Sequence, residues 1–476
     1  INSPAPCPGG TLSGLRKLLR IAQMESLASL RHRRWNTLRP YHPMKSPPFS
    51  PVQLAGLLIG ISFLALGLVA PFSLLPASSQ RALGIALCAL ILWSTEPVPI
   101  EFSSLVLLLL IPAIGLLSFE ESFAPFATKT IWLIFAGMSL SLGLSTTGLG
   151  DALASWILGR LSQRVPILLL QLHLVGLLAA FLIPSGVIRV LLLMPIGISL
   201  VTRMGKDPSP NLKAAILLSL LCSTYFGGCG ILTGSVPNLV LAGQYEKAQH
   251  TPIFWATWLY WMFPVIGLVR TLLSFGIIWL LYGRQLRPDD IRIEPPSIQT
   301  PLTRPQRLSL YILCTGVGLW ASDLVHQIQP AYIGLVLVLL FILPRFGPLR
   351  AEDLSKVRFT FLFYIAALFT LGKTLEATGF DHLFIEALSQ EVKLTEYGWL
   401  AKHLGLTLIA LPLDFLMDIG AVAGVVTIPL IDLGAIHGIA PLPAAFSVAM
   451  ATTLAFIPYQ SAPFMVAYSF RHLSMR

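Results

Sequence analysis

Charge is what this chain has least of. Asp, Glu, Lys and Arg make up only 11% of its 476 residues, against about 25% in a typical soluble domain. That excludes a surface bathed by water on every side. Cysteine is also sparse. Cys7, Cys88, Cys222, Cys229 and Cys314 are scattered, four of them in apolar runs, and no pair has metal-ligand spacing. They read as small hydrophobic core residues. The sequence contains no HExxH and no Asp-rich pair that would bind Mg²⁺, so membrane-embedded enzyme chemistry has nothing to act through. A phosphate-binding P-loop is likewise lacking, which leaves ATP-driven pumping on this chain without support. The expectation is a protein that is not an enzyme and needs no organic cofactor.

What is present is apolar length. Hydrophobic residues reach 55% and mean hydropathy is +0.76. Windows of about 20 apolar residues, enough to cross about 30 Å of hydrocarbon, recur along the chain. The fold class is therefore an all-α polytopic membrane protein embedded in a lipid bilayer.

The charge that exists is uneven. Residues 1–45 hold eight Lys or Arg (Arg16, Lys17, Arg20, Arg31, Arg33, Arg34, Arg39, Lys45) against Glu25 alone, so +8 − 1 = +7 of the total +10. No nucleic-acid module accompanies this cluster. Basic residues ahead of a first span stay cytoplasmic, and the segment lacks the apolar centre of a signal peptide. Residues 1–50 thus read as a basic tail that is disordered or not native, since the chain starts with Ile1 and Met44 sits just before the first apolar run.

Two segments look like copies of one device. The long apolar stretch around residues 181–196, FLIPSGVIRVLLLMPI, and that around residues 416–431, LMDIGAVAGVVTIPLI, are each interrupted near the middle. Gly186 precedes Pro195 by nine residues, as Gly420 precedes Pro429, so both landmarks are offset by 234. A break at membrane depth leaves backbone groups unpaired and is tolerated only inside protein or beside water or ligand. Two such breaks in matching positions point to a transporter binding site. The reading is an inverted-repeat transporter with two re-entrant hairpins, residues 165–202 and 398–433, and two broken helices. The broken helices are interrupted at residues 227–238 (GGCGILTGSVPN) and 455–464 (AFIPYQSAPF); Ser235-x-Pro237 and Ser461-x-Pro463 match at an offset of 226. Residues 51–282 form the first repeat, 283–307 a cytoplasmic linker rich in Pro and charge, and 308–476 the second repeat. After its broken span the second repeat lacks the last helix that residues 258–282 supply in the first. Counting spans from a cytoplasmic N-terminus places the basic segments 203–213, 345–358 and 471–476 on one side, which agrees with hairpins entering from opposite faces.

At this point the chain resembles the divalent anion:sodium symporter (DASS) family of the ion-transporter superfamily. The residues that carry the resemblance are WSTEPVPI (93–100), APFATKTIWLIFAGMSLSLGLSTTGL (124–149), LTGSVPN (232–238) and LGKTLEATG (371–379). It covers roughly residues 50–470. The resemblance implies a scaffold domain that forms a homodimer, a transport domain that carries both hairpins and moves as an elevator, and coupling to sodium ions. Such a family carries Ser-Asn-Thr at each hairpin tip. Here the tips read Pro184-Ser185-Gly186 and Asp418-Ile419-Gly420, while the facing loop keeps Thr233, Gly234, Ser235, Pro237 and Asn238, and the other facing loop has Tyr459, Gln460 and Ser461.

The candidate substrate and ion-binding residues are accordingly Ser185, Gly186, Arg189, Thr233, Gly234, Ser235, Asn238, Asp418, Gly420, Gln460 and Ser461. Tip hydroxyls and helix N-termini suit an anion, because free amides and the helix dipole favour negative charge. Arg189 is expected either to meet substrate charge or to pair with an acid or a helix-end carbonyl. Asp418 is expected to ligate a cation, carry a proton, or pair with Arg189. Asp414 reads as nearer the membrane surface, solvated or capping. Lys129, Lys373 and Glu376, near span ends, read as snorkelling. Glu96 reads as structural, and His173 and His326 receive no chemistry. The function expected is secondary transport of a small anion (sulfate, a di- or tricarboxylate), sodium-coupled and by an elevator mechanism, in the plasma or inner membrane. The alternative is a proton-coupled anion transporter or a cation/proton exchanger using Asp418.

Overall fold

The computed structural model describes residues 49–69, 75–204, 209–286, 301–391, 394–415, 418–456, 460–470 and 472–473. All but the last two residues of the basic tail read from residues 1–50, and most of the linker read from 283–307, lie outside them. The description below concerns the compact unit Pro51–Arg476.

Among the described residues every regular element is helical. In chain order they are α1 (Pro51–Val69), α2 (Ala77–Thr95), α3 (Ile100–Ala113), α4 (Phe119–Phe123), α5 (Lys129–Thr147), α6 (Leu149–Leu158), α7 (Val165–Leu182), α8 (Gly186–Arg203), α9 (Pro210–Cys229) and α10 (Val236–Gln249). There follow α11 (Trp255–Met262) and α12 (Arg270–Leu281), joined through a π-helical turn Phe263–Val269, then α13 (Arg304–Ala321), α14 (Pro330–Phe341), α15 (Phe361–Ala377) and α16 (Phe380–Glu391). The last are α17 (Trp399–Ala410), α18 (Ile419–Ile436), α19 (Pro441–Ala451) and α20 (Ala462–Ser469). Among the described residues, seven helices are long and apolar enough to cross a membrane, and α15 with α16 would make an eighth as one span bent by 77°. The protein is an all-α polytopic membrane protein.

Local sequence sets where these helices stop. Pro97 directly after Glu96 helps end α2, because the residue before a proline is disfavoured in the right-handed helical region; Glu96 takes a left-handed conformation, φ 43°. The bend between α15 and α16 falls at Gly379, φ 72°, where the absent Cβ removes the usual penalty. The π turn after Met262 is forced by packing as much as by Pro264: a Cβ on Gly230 would lie 2.8 Å from Gly267 Cα, so the two backbones touch and the helix must open around the contact.

Several expectations change at this level. Not every apolar run gives a full span: Ile100–Ala113 and Pro330–Phe341 are shorter apolar helices, below the length that crosses unaided. Lys129, Lys373 and Glu376 do not simply snorkel. Lys129 pairs with Glu246 at 3.1 Å, Lys373 with Glu121 at 3.1 Å and Glu376 with Lys247 at 2.6 Å. Each pair joins segments more than a hundred residues apart, so the ends of α5, α10 and α15 are laced together.

The core supports one arrangement above all. Helix α9 packs along α7, α10 along α18, and α20 along α8. The second piece of each broken helix therefore lies against the helix that follows the break of the other device.

Candidate functional site

Both devices break where the sequence indicates. Helix α7 ends at Leu182 and α8 starts at Gly186, whose N-cap Ser185 accepts a hydrogen bond from the Ile188 amide at 3.4 Å. A serine or aspartate at this position satisfies an amide that the first turn cannot. Asp418 does the same for α18, accepting from the Gly420 amide at 2.8 Å. Pro195 and Pro429 sit inside α8 and α18.

The two broken helices restart alike. Ser235 precedes α10 and Ser461 precedes α20, each with proline in the first turn, where its missing amide is no loss. Neither serine hydroxyl caps its own helix. The starts then pair crosswise. The space beside Gly186 ends at the Pro463 ring, 2.8 Å from where a Cβ would sit, and the space beside Gly420 faces the Pro237 ring at 3.9 Å. The N-terminus of α8 thus meets that of α20, and the N-terminus of α18 meets that of α10. Four positive dipole ends are brought into two opposed pairs, an arrangement hospitable to negative charge.

The interior of the first break is sealed by its own residues. Arg189 is buried and donates four hydrogen bonds: Nε to Thr224 Oγ1 (3.0 Å), Nη1 to the Ile183 carbonyl (2.7 Å), and Nη2 to the carbonyls of Thr224 (3.2 Å) and Gly234 (2.8 Å). Its guanidinium sits where two interrupted helices leave carbonyls unsatisfied. Asn238 Nδ2 reaches the carbonyls of Gly228, Cys229 and Ile231 at 3.2, 3.1 and 2.9 Å. Thr233 Oγ1 accepts from Trp255 Nε1 at 3.1 Å. A Cβ on Gly234 would lie 2.6 Å from the Gly228 carbonyl oxygen, so only glycine lets this loop fold back on α9.

The second break is built differently. Gln460 is fully buried; its Oε1 accepts from the Phe456 amide and its Nε2 donates to the Asp414 carbonyl at 2.7 Å. Ser461 is buried beside it. Asp418 is half-buried and its other neighbour is the Tyr364 hydroxyl at 3.5 Å.

Of the eleven predicted residues, then, Ser185, Gly186, Ser235 and Asp418 are half-buried at helix starts, while Arg189, Thr233, Gly234, Asn238, Gly420, Gln460 and Ser461 are buried. Of the alternatives expected for Arg189, the helix-end carbonyls are the ones it meets, and Arg189 and Asp418 form no ion pair. The guanidinium is already saturated by carbonyls and Asp418 by its own helix start, so neither needs the other. A second correction concerns Asp414, read as solvated near the surface. It is completely buried, because Pro412 ends α17 early and the 3₁₀ turn Leu411–Phe415 carries the side chain inward. Thr224, Tyr225 and Trp255 also belong to the site and were not singled out. Their only signal was polar or amphipathic character inside apolar runs, which is common in packed membrane helices.

A cavity of about 400 Å³ lies elsewhere, between α9 and α12, lined by Leu218, Cys222, Phe226, Arg270 and Tyr282 among others, and is almost wholly apolar.

Comparison with known proteins agrees with this architecture. Residues 90–451 match the model of the citrate transporter (CitMHS) family. The chain is 27% identical over 241 residues to an uncharacterized transporter of Haemophilus influenzae, covering 49% of this chain and 50% of that protein. It is 28% identical over 239 residues to the sodium-dependent dicarboxylate transporter SdcS of Staphylococcus saprophyticus, covering 48% and 44%, and 26% identical over 246 residues to SdcS of Staphylococcus aureus, covering 50% and 46%. The alignments span about half the length of these curated relatives. The family and its relatives are transporters rather than enzymes, in keeping with the DASS resemblance, and with the match extending over most of its length the chain belongs to the citrate transporter family.

Proposed function

We propose that the protein is a secondary transporter of small anions, with a di- or tricarboxylate as the first substrate class and sodium as the coupling ion. The observation that carries the reading is the crosswise pairing of four helix N-termini at Gly186–Pro463 and Gly420–Pro237. Free amides there, with the half-buried hydroxyls of Ser185 and Ser235, would bind carboxylate oxygens. Arg189 lies one turn inside α8 and supplies a permanent positive charge behind them. Its role is to stabilise the broken backbone, with three hydrogen bonds to carbonyls and one to the Thr224 hydroxyl, while its charge biases the site towards anions. Sodium-dependent dicarboxylate transport is what the staphylococcal relatives are named for, and it extends to this chain as part of the proposal.

The same reading takes α7–α8 and α17–α18 as re-entrant hairpins of an inverted repeat, carried by an elevator-type transport domain in a homodimer. It places the protein in the plasma or inner membrane with a cytoplasmic N-terminus. The test is uptake of radiolabelled succinate, citrate, sulfate and phosphate into proteoliposomes, with sodium and proton gradients imposed separately. Sodium-driven accumulation of at least one carboxylate is expected. Uptake of none of the four under either gradient would sink the reading.

A further inference from the structure

We propose that Asp414 is the seat of a single mobile positive charge, a sodium ion or a proton, that loads at the second break. The inference deepens the transport reading and rests on it only for the link to substrate movement.

Asp414 is 0% exposed. Neither oxygen of its carboxylate has a hydrogen-bond partner among the described residues. Its backbone carbonyl, by contrast, is held by Gln460 Nε2, so the residue is fixed in place with its acid group unanswered. The other buried acids, Asp323 and Asp381, and the half-buried Asp418 are answered. Asp323 accepts from the amides of Trp255 and Ala256 at 2.6 and 3.2 Å, Asp381 from the His382 amide at 2.8 Å, and Asp418 from the Gly420 amide. A bare carboxylate in a low-dielectric interior costs several kcal/mol. A fold keeps one there when a cation or proton neutralises it.

The surroundings offer no resident cation. From α9, the buried Tyr225 side chain faces this region, with Ser461, Cys229 and Asp414 near its hydroxyl. Cys229 lies beyond it on the same helix. Asp418, at the start of α18, adds negative charge to the region. From α17, His403 bonds Ser447 and Lys402 bonds the His437 carbonyl. Arg270 on α12 is spent on the carbonyl and hydroxyl of Thr453 at 3.2 and 2.7 Å, and Arg189 on the first break. No basic side chain pairs with Asp414 among the described residues. The unpartnered carboxylate of Asp414, with the Tyr225 and Ser461 hydroxyls in the same region, offers oxygen atoms that suit a hard cation or an added proton.

The experiment measures thermal unfolding of the purified full chain in detergent, without substrate. Sodium is titrated against choline at fixed pH, and pH is varied in choline. The wild type is expected to gain stability as sodium rises or as pH falls; the first response assigns the charge to sodium, the second to a proton. Asp414→Asn is expected to abolish that response and to unfold no earlier than the loaded wild type, because it removes the charge without changing the shape. A wild type indifferent to both titrations, or an Asn variant that responds as the wild type does, would overturn the assignment. Should Asp414→Asn not fold, Tyr225→Phe removes the neighbouring phenol oxygen; it is expected to move the midpoint of the response several-fold, and an unmoved midpoint counts against the site. Anion uptake is measured in parallel. Absence of uptake by a wild type that still shows the ion response would defeat the transport reading and leave the ion site standing.

Discussion

The first and second breaks solve one problem in opposite ways. Each interrupts a membrane-depth helix and strands backbone carbonyls. At the first, a permanent cation, Arg189, is folded in and joined to the carbonyls of Ile183, Thr224 and Gly234. At the second, a neutral amide, Gln460, holds the Asp414 carbonyl, and the charged group nearby is an acid with no partner. The difference teaches that local similarity of a broken-helix device does not fix its electrostatics. One break is complete as folded. The other keeps a buried acid with no partner among the described residues.

The comparison breaks most easily at Arg189. Arg189→Ala would leave four hydrogen bonds unmade and several buried acceptors bare, at about 1–3 kcal/mol for each unsatisfied group. The expected outcome is a protein that fails to purify folded or melts far below the wild type by fluorescence-detected chromatography. Arg189→Lys should rescue it poorly, because an ammonium cannot reproduce the fork. A variant as stable as the wild type would mean that the first break does not depend on its cation.

Glycine substitutions sharpen the contrast at smaller scale. Gly234→Ala would push a methyl to 2.6 Å from the Gly228 carbonyl, whereas at Gly420 the nearest atom is the Asp418 carboxylate at 2.8 Å, with Pro237 at 3.9 Å. Backbone cannot yield as a side chain can. Gly234→Ala is expected to cost about 1–3 kcal/mol and to abolish uptake; Gly420→Ala should retain measurable uptake. Equal losses in the two would remove the distinction drawn between a rigid and an adjustable break.

Asn238→Ala and Gln460→Ala test the amides. Asn238 serves three carbonyls and Gln460 one carbonyl and one amide. Both should destabilise by about 1–3 kcal/mol, read as earlier melting, with Asn238→Ala the larger. The reverse order would show that the second break, not the first, is the more tightly laced.

The smallest effect is expected at the surface. Lys247–Glu376 joins α10 to α15, with side chains 32% and 50% exposed. An exposed pair of this kind is worth about 0–1 kcal/mol. Lys247→Ala should shift melting slightly and lose even that shift in high salt.

Much of this was legible beforehand. The helix starts at Gly186 and Ile419 fall where a capping residue and a glycine meet an apolar run, and Ser-x-Pro marks the restarts of α10 and α20. These are local signals, written in residues next to one another. Arg189 was recognisable as exceptional, since charge within apolar runs is rare, yet its partners were not, because Thr224 and Gly234 are brought to it by packing. Asp414 was misplaced for a related reason. Membrane depth was counted along a straight helix, and a 3₁₀ turn at Pro412 shortened it.

By itself the sequence determined the class, the apolar spans, the positions of both breaks and the residue types available there, because hydropathy, proline and capping act over a few residues. Only the tertiary structure decided which break faces which, that Gly186 lies on Pro463 and Gly420 on Pro237, that Arg189 is sated and that Asp414 is not. Those outcomes depend on contacts between segments far apart in the chain, 277 residues for Gly186 and Pro463 and 183 for Gly420 and Pro237, and the satisfaction of a buried polar group is a property of everything that surrounds it.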